Sequence, residues 1–321
     1  MKYIITERQY RLLSEQEEEI LTIPYAHFQG DWDMLQVFLK RRKNPPYRIS
    51  GDLNLLRTQI KSLGYLQSVE GDLYLSKTPI ENLGNLESVD GSLNLKETPI
   101  KSLGNLKSVG GDLTLQGSTI KSLGNLESVG GNLHLNRTQI KSLGNLKSVG
   151  GTLNSVGNLI ESLGNLESVG GWLNLKETPI KSLGNLESVG GSLDLYGSSI
   201  ESLGNLESVE NSLYLYQTPI MNLGNLKFVG KYLNLIETPI KSLGNLESVG
   251  GSLDLRSSSV ETLGNLKSVK GDFYLQGNAI KSLGNLESVG GDLRLYKTPI
   301  SKKYTEEEIR SMVNVGGNVY L

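Results

Sequence analysis

The chain has 321 residues, 37% hydrophobic, 21% charged and 6% aromatic, with 38 glycines, 9 prolines and no cysteine. These fractions are those of a folded domain and exclude a disordered tail or a coiled coil. The absence of cysteine excludes disulfides and thiolate metal sites, and two well-separated histidines, His27 and His134, leave little for zinc. With 32 basic against 34 acidic residues, the net charge of -2 gives no global attraction to nucleic acid or anionic membrane.

At the start, the apolar run Tyr3-Ile4-Ile5 gives way at once to Thr6, Glu7 and Arg8, too short for a signal peptide. No later run has the length of a membrane span. The expectation is a soluble protein, cytoplasmic and not secreted through a signal peptide. Residues 1–50 differ in composition from the rest and read as a helical N-terminal cap. Thr6 and Gln9 fit a capping box ahead of a helix carrying Leu12, Leu13 and Ile20. A second helix is expected from Asp31 to Arg42, burying Trp32, Leu35, Phe38 and Leu39 and stopping before Asn44-Pro45-Pro46.

From Gly51 to residue 300 the chain is an internal repeat with a period of 20. Units begin at 51, 71, 91 and so on; the twelfth begins at 271 and a thirteenth at 291. In the first unit, Leu63, Gly64, Leu66 and Val69 mark positions 13, 14, 16 and 19, which keep these residue types in all twelve complete copies. Position 3 is Leu except at Phe273, position 5 is Leu except at Ser155, and position 10 is Ile except at Val260. Apolar steps of two, five and three fit neither a continuous helix nor one long strand, and call instead for short strands joined by corners. Six apolar side chains cannot offset the ordering of twenty residues, so a unit folds only by stacking on its neighbours. At about 4.8 Å per coil, thirteen coils make a rod about 60 Å long.

Position 8 is always a small hydrogen-bonding residue: Thr in Thr58 and seven other copies, Ser at Ser118, Ser198 and Ser258, Asn at Asn158 and Asn278. Such a column suits an inward polar ladder that satisfies backbone groups at a bend. Glycine precedes Ser118, Asn158, Ser198 and Asn278, whereas Gln or a charged residue precedes every Thr, so two turn chemistries are expected at this corner.

Residues 183–195, Leu-Gly-Asn-Leu-Glu-Ser-Val-Gly-Gly-Ser-Leu-Asp-Leu, resemble the leucine-rich-repeat superfamily, and most of all the receptor L domain with its Leu-x-x-Val/Ile-x-Gly-x-Leu-x-Leu coils. The chain differs from ordinary leucine-rich repeats in placing Thr where Asn usually stands. The opening residues and near-identical copies are also similar to uncharacterised bacteriophage-type repeat proteins, a resemblance that implies host cytoplasm or virion as the location. Together these imply a right-handed, leucine-rich-repeat-like β-solenoid of about 13–14 coils of 20 residues.

After Ile300 an insertion contains a second capping box, Thr305 to Glu308, so residues 301–321 are expected to form a cap. It comprises a short helix burying Ile309, Met312 and Val313, then a strand through Val315-Gly-Gly-Asn-Val-Tyr-Leu321. The whole is one continuous domain.

Positions 2, 4 and 6 vary most and face outward, where solenoids bind. Trp172, Tyr196, Tyr214, Tyr216, Tyr232 and Ile236 fall in consecutive coils and form the candidate partner-binding patch. The alternative is cross-strand aromatic packing that only stabilises the sheet. Lys40-Arg-Arg-Lys43 closes a predicted helix, where positive charge complements the dipole. Glu17-Glu-Glu19 reads as a solvated helix face, and the Lys and Glu columns at positions 11 and 17 as solubilising charge. Asp194 and Asp254 share position 4 but lie three coils apart, about 14 Å, too far for paired carboxylates. No catalytic, metal or cofactor constellation emerges. The expectation is a non-catalytic, monomeric interaction module binding a protein partner, with a structural spacer or virion assembly component as the alternative and ice binding a distant third.

Overall fold

The computed structural model describes residues 20–28 and 30–321. The helix expected behind Thr6 and Gln9, with Leu12 and Leu13, and the acidic run Glu17–Glu19 lie outside the described residues. Each 20-residue copy forms one coil of a parallel β-solenoid. Two residues at unit positions 3 and 4 make one strand, as in Leu53–Asn54, and two at positions 18 and 19 make another, as in Ser88–Val89. Among the described residues the first set builds a front sheet of 14 strands ending at Val319–Tyr320, and the second a back sheet of 15 strands. All pairs are parallel, and from coil to coil of the repeat the register is constant, Leu133 opposite Leu113 and Leu153, so each apolar residue stacks on its own counterpart; only the pairing of Tyr47–Ser50 with Leu66–Val69 carries a register shift.

That register makes the core. Leucines at positions 3, 5, 13 and 16, Ile at 10 and Val at 19 form six buried columns running through the rod, joined in one cluster. The buried amphipathic alternation of the strands and the tight corners follow from the spacing alone. At the corner after the front strand, position 7 has φ between +56° and +79° in every copy, whether it is Gly117 or Glu97. One turn geometry therefore serves all coils, not two. The position-8 side chain lies inside it: in nine copies its hydroxyl donates to the carbonyl of the residue three before, as Thr78 Oγ1 does to Leu75 at 2.7 Å. Asn158 and Asn278 instead send their amides back one coil, to the Leu135 and Leu255 carbonyls. Thr138 Oγ1 and Ser198 Oγ make no such bond, whereas Ser258 shares the Leu255 carbonyl with the Asn278 amide.

The third side of the coil alternates over 40 residues from Gly84 to Gly204 and then slips by one coil, Gly224 and Gly244 both lying at open junctions. A Cβ on Gly84, Gly124, Gly164, Gly204 or Gly264 would run into the preceding coil, whereas one on Gly104, Gly144, Gly184, Gly244 or Gly284 would meet nothing within 4 Å. Coils thus come in close pairs on this side. Across the closed junctions Asn125 N–H donates to Gly104 O at 3.0 Å and Asn165 N–H to Gly144 O at 2.9 Å. Ion pairs straddle the same junctions: Lys61 to Glu81, Lys141 to Glu161, Lys181 to Glu201 and Lys241 to Glu261, at 3.2, 2.8, 3.2 and 2.9 Å. Pro99, Pro179 and Pro239 open pairs whose second coils carry Thr119, Ser199 and Ser259. The N–H groups of these last three donate to the Thr98, Thr178 and Thr238 carbonyls. Proline is not confined to the first coil of a pair: Pro79 stands in a second coil, and Gln139 N–H donates to Ile120 O at 3.1 Å across an open junction.

The N-terminal cap is mixed rather than purely helical. Leu21–Pro24 and Tyr47–Ser50 are strands that extend the back sheet by two, and helix α1, Trp32–Arg41, lies between them in sequence. Asp31 caps α1 by accepting Met34 N–H, and Trp32, Leu35 and Leu39 are buried. Phe38 is half-buried, edge-on to Phe28 at 5.3 Å. At the other end, helix α2, Glu306–Met312, starts at a complete Thr305–Glu308 capping box and buries Ile309. Val313 is buried just beyond it, but Met312 is 46% exposed, because a seven-residue helix has only one face toward the last coil.

Candidate functional site

The front sheet presents positions 2, 4 and 6, and two hydrogen-bond rules order this face. At position 2 a side-chain oxygen accepts the position-2 N–H of the following coil: Asp72 from Ser92 at 2.7 Å, Asp112 from Asn132 at 2.6 Å, Asn132 from Thr152 at 2.7 Å. The ladder continues to Asp292, which accepts from Asn318 at 2.9 Å. It is broken at Trp172 and Tyr232, whose indole and phenol offer no acceptor to the next coil. At position 4, Asn or Asp Oδ1 accepts the position-6 N–H of its own coil, as Asp194 does from Tyr196 at 3.0 Å and Asn234 from Ile236 at 3.0 Å. Tyr214 gives up that bond.

These departures converge. Trp172, Lys176, Asp194, Tyr196, Tyr214, Tyr216 and Asn234 line an open trough of about 370 Å³. The indole of Trp172 is 44% exposed. Tyr196 and Tyr216 stack in successive coils, centroids 5.4 Å apart and planes 18° from parallel, with the Lys176 ammonium 4.6 Å from the Tyr196 ring. Tyr214 meets Tyr232 edge-on at 5.9 Å. Loss of hydration, then the Glu237 carboxylate, pushes the Tyr216 phenol above its ordinary pKa. Tyr74 and Tyr274, also at position 4, are different: each donates its hydroxyl to the Asp two residues before, at 2.7 and 2.8 Å. Tyr214 has Ser212 in that place and makes no such bond.

Of the six residues predicted from sequence, Trp172, Tyr196, Tyr214 and Tyr216 share the trough. Tyr232 stands beyond it, bonded to Asp254, and Ile236 follows Tyr216 in the position-6 column, half-buried. Lys176, Asp194 and Asn234 were missed; they occupy positions 4 and 6 of the same coils, and the alternation of the strand placed them beside the aromatics. Asp254 itself is 1% exposed and held by Arg256 in a bidentate pair, the closest contact 2.7 Å.

A longer trough, about 560 Å³, runs over the back sheet from Val89 to Gly190, floored by repeated Ser, Val and Gly. A Cβ on Gly130, Gly150 or Gly170 would approach the preceding carbonyl closely, although Asp90 stands at the same unit position in this trough. It is a by-product of close coil approach and converges no distinctive chemistry. In the Lys40–Lys43 run, the Arg42 guanidinium lies 3.8 Å over the Phe38 ring, and Lys43 and Asn44 turn the chain with positive φ. Among the described residues no three His, Asp or Glu stand together as metal ligands, and no helix is long and apolar enough to cross a membrane. No family model, curated protein or solved structure matches the chain.

Proposed function

We propose that the chain is a non-catalytic interaction module whose front sheet binds a protein partner through the Trp172 trough. One observation carries this reading. The repeat supplies an oxygen at position 2 in eleven of thirteen coils, and the chain forgoes it at Trp172 while leaving that indole exposed. A residue that breaks the local rule without a structural return is best explained by what it contacts outside the molecule. One exposed and three half-buried aromatics, with a cation, a carboxylate and an amide at their margin, have the makings of an interface hot spot. Tyr196 and Tyr216, stacked on each other, form its rigid wall, and cross-strand packing accounts for that pair as well.

The resemblance to leucine-rich repeats and receptor L domains supports the same reading, since those solenoids bind through the variable face of a strand array. A structural spacer, as in a phage virion, is the second reading, favoured by the ladder regularity of the rod. Affinity capture from the native host separates the two. With Trp172→Ala and Tyr214→Ala, loss of a partner held by the unaltered chain, at unchanged melting temperature, supports the module. A partner retained by both variants removes the trough from consideration, and co-fractionation with particles favours the spacer.

A further inference from the structure

Every coil of the back sheet leaves two carbonyls for the next. Val289 O accepts Gly316 N–H at 2.9 Å and Gly291 O accepts Gly317 N–H at 3.0 Å. Val269 and Gly271 do the same one coil earlier, for Gly290 at 2.8 Å and Gly291 at 3.0 Å. By register, Val315 is the counterpart of Val289 and Gly317 that of Gly291. Their carbonyls are taken not by a further coil but by one side chain. Arg310 Nη1 donates to Val315 O and Nη2 to Gly317 O, both at 2.9 Å, while its Nε donates to Glu306 Oε1 at 2.8 Å. One guanidinium thus stands in for the two N–H groups of an incoming strand, aimed by a carboxylate one helical turn away on α2.

We propose that Arg310 is an edge plug, closing the C-terminal end of the back sheet against pairing with a second copy of this chain. A bare sheet edge recruits strands, and natural proteins block it with charge or a covering element. The strand that fits this edge is the repeat's own. The acceptors are the counterparts of those used at the internal junctions, and the approach is close enough that Gly316 and Gly317 themselves could carry a Cβ only by colliding with the coil before. Most coils of this chain meet that approach with a glycine pair at the corner, although Glu210 and Asn211 make the same two bonds at 3.0 and 3.2 Å. Glu306, Glu307 and Glu308 on α2 add like-charge repulsion between two such ends.

Sedimentation of the full chain over a concentration series tests this, comparing the unaltered chain with Arg310→Ala and Glu306→Gln. The unaltered chain should stay at one monomeric mass, R310A should shift with concentration toward dimers and longer species, and E306Q, which only loosens the guanidinium, should fall between. In the R310A oligomers amide exchange at Val315 should slow. An R310A variant as monomeric as the unaltered chain, or an oligomer with no added protection at Val315, would overturn the plug, as would an unaltered chain that associates through this end. Should R310A fail to fold, E306Q decides: greater self-association upholds the plug, and an unchanged monomer overturns it.

Discussion

Tyr232 donates its hydroxyl across 3.1 Å to the carboxylate of Asp254 in the next coil, which is almost wholly out of solvent. Desolvation, and then the charge of Asp254, raises the Tyr232 phenol well above its ordinary pKa. Arg256 provides the countercharge from two residues along. Tyr232→Phe should then cost about 1 kcal/mol, one hydrogen bond to a charged group that keeps its main partner. Arg256→Ala should cost more, about 2–3 kcal/mol, because it strips a buried carboxylate of its cation. Urea midpoints of the two variants check the order; equal effects would mean that Asp254 relies on neither.

At position 2 the trough and the ladder compete. Trp172→Ser restores an oxygen facing Ser192 N–H, so it should raise stability by about 0.5–1 kcal/mol while abolishing capture of the partner. The expected signature is a higher unfolding midpoint together with lost binding. A variant that is less stable than the unaltered chain would show that the indole is held for packing.

Ser155 and Asn158 are a matched exception in one coil. Ser155 replaces the position-5 leucine, is fully buried, and accepts from the Asn158 amide at 3.1 Å. Ser155→Leu alone should destabilise, leaving that amide short of a partner beside an added isobutyl group. Adding Asn158→Thr restores the consensus of the neighbouring coils. A double-mutant cycle by chemical denaturation should give a favourable coupling of about 1 kcal/mol or more, and additivity would refute the pairing.

The position-2 ladder is sensitive to acid. The Asp72 carboxyl is held below its ordinary pKa chiefly by Ser92 N–H and then by the Tyr74 hydroxyl, and Asp272 likewise by Asp292 N–H and Tyr274. A folded-state pKa below the unfolded value contributes stability that is complete above the unfolded pKa and is lost as pH falls through the folded one. Stability of the unaltered chain should therefore decline below about pH 4. In Asp72→Asn with Asp272→Asn the urea midpoint should change less with pH across that range.

The aromatic face shows where reading from sequence succeeds and where it stops. Alternation in a two-residue strand assigns Trp172, Tyr196, Tyr214 and Tyr216 to one side of one sheet, and they do share a trough. Tyr232 obeys the same alternation, yet its hydroxyl is committed to Asp254, a contact 22 residues away that no pattern in the string announces. Met312 was expected in the core by helical spacing and is exposed, because helix spacing says which residues share a face but not how much of that face the last coil covers.

Periodicity by itself determined the architecture. When an identical set of apolar residues returns every twenty positions, stacking like on like is the one arrangement that buries all of them, and the coil, its corners and its inward threonine column follow. What the third dimension decided lies between coils. The pairing of coils on the third side, the cost of an indole in the position-2 ladder and the guanidinium that ends the back sheet all depend on distances between equivalent atoms twenty or more residues apart. Those distances are set by packing and by the backbone groups left over at each junction, quantities that a repeat motif does not encode one copy at a time.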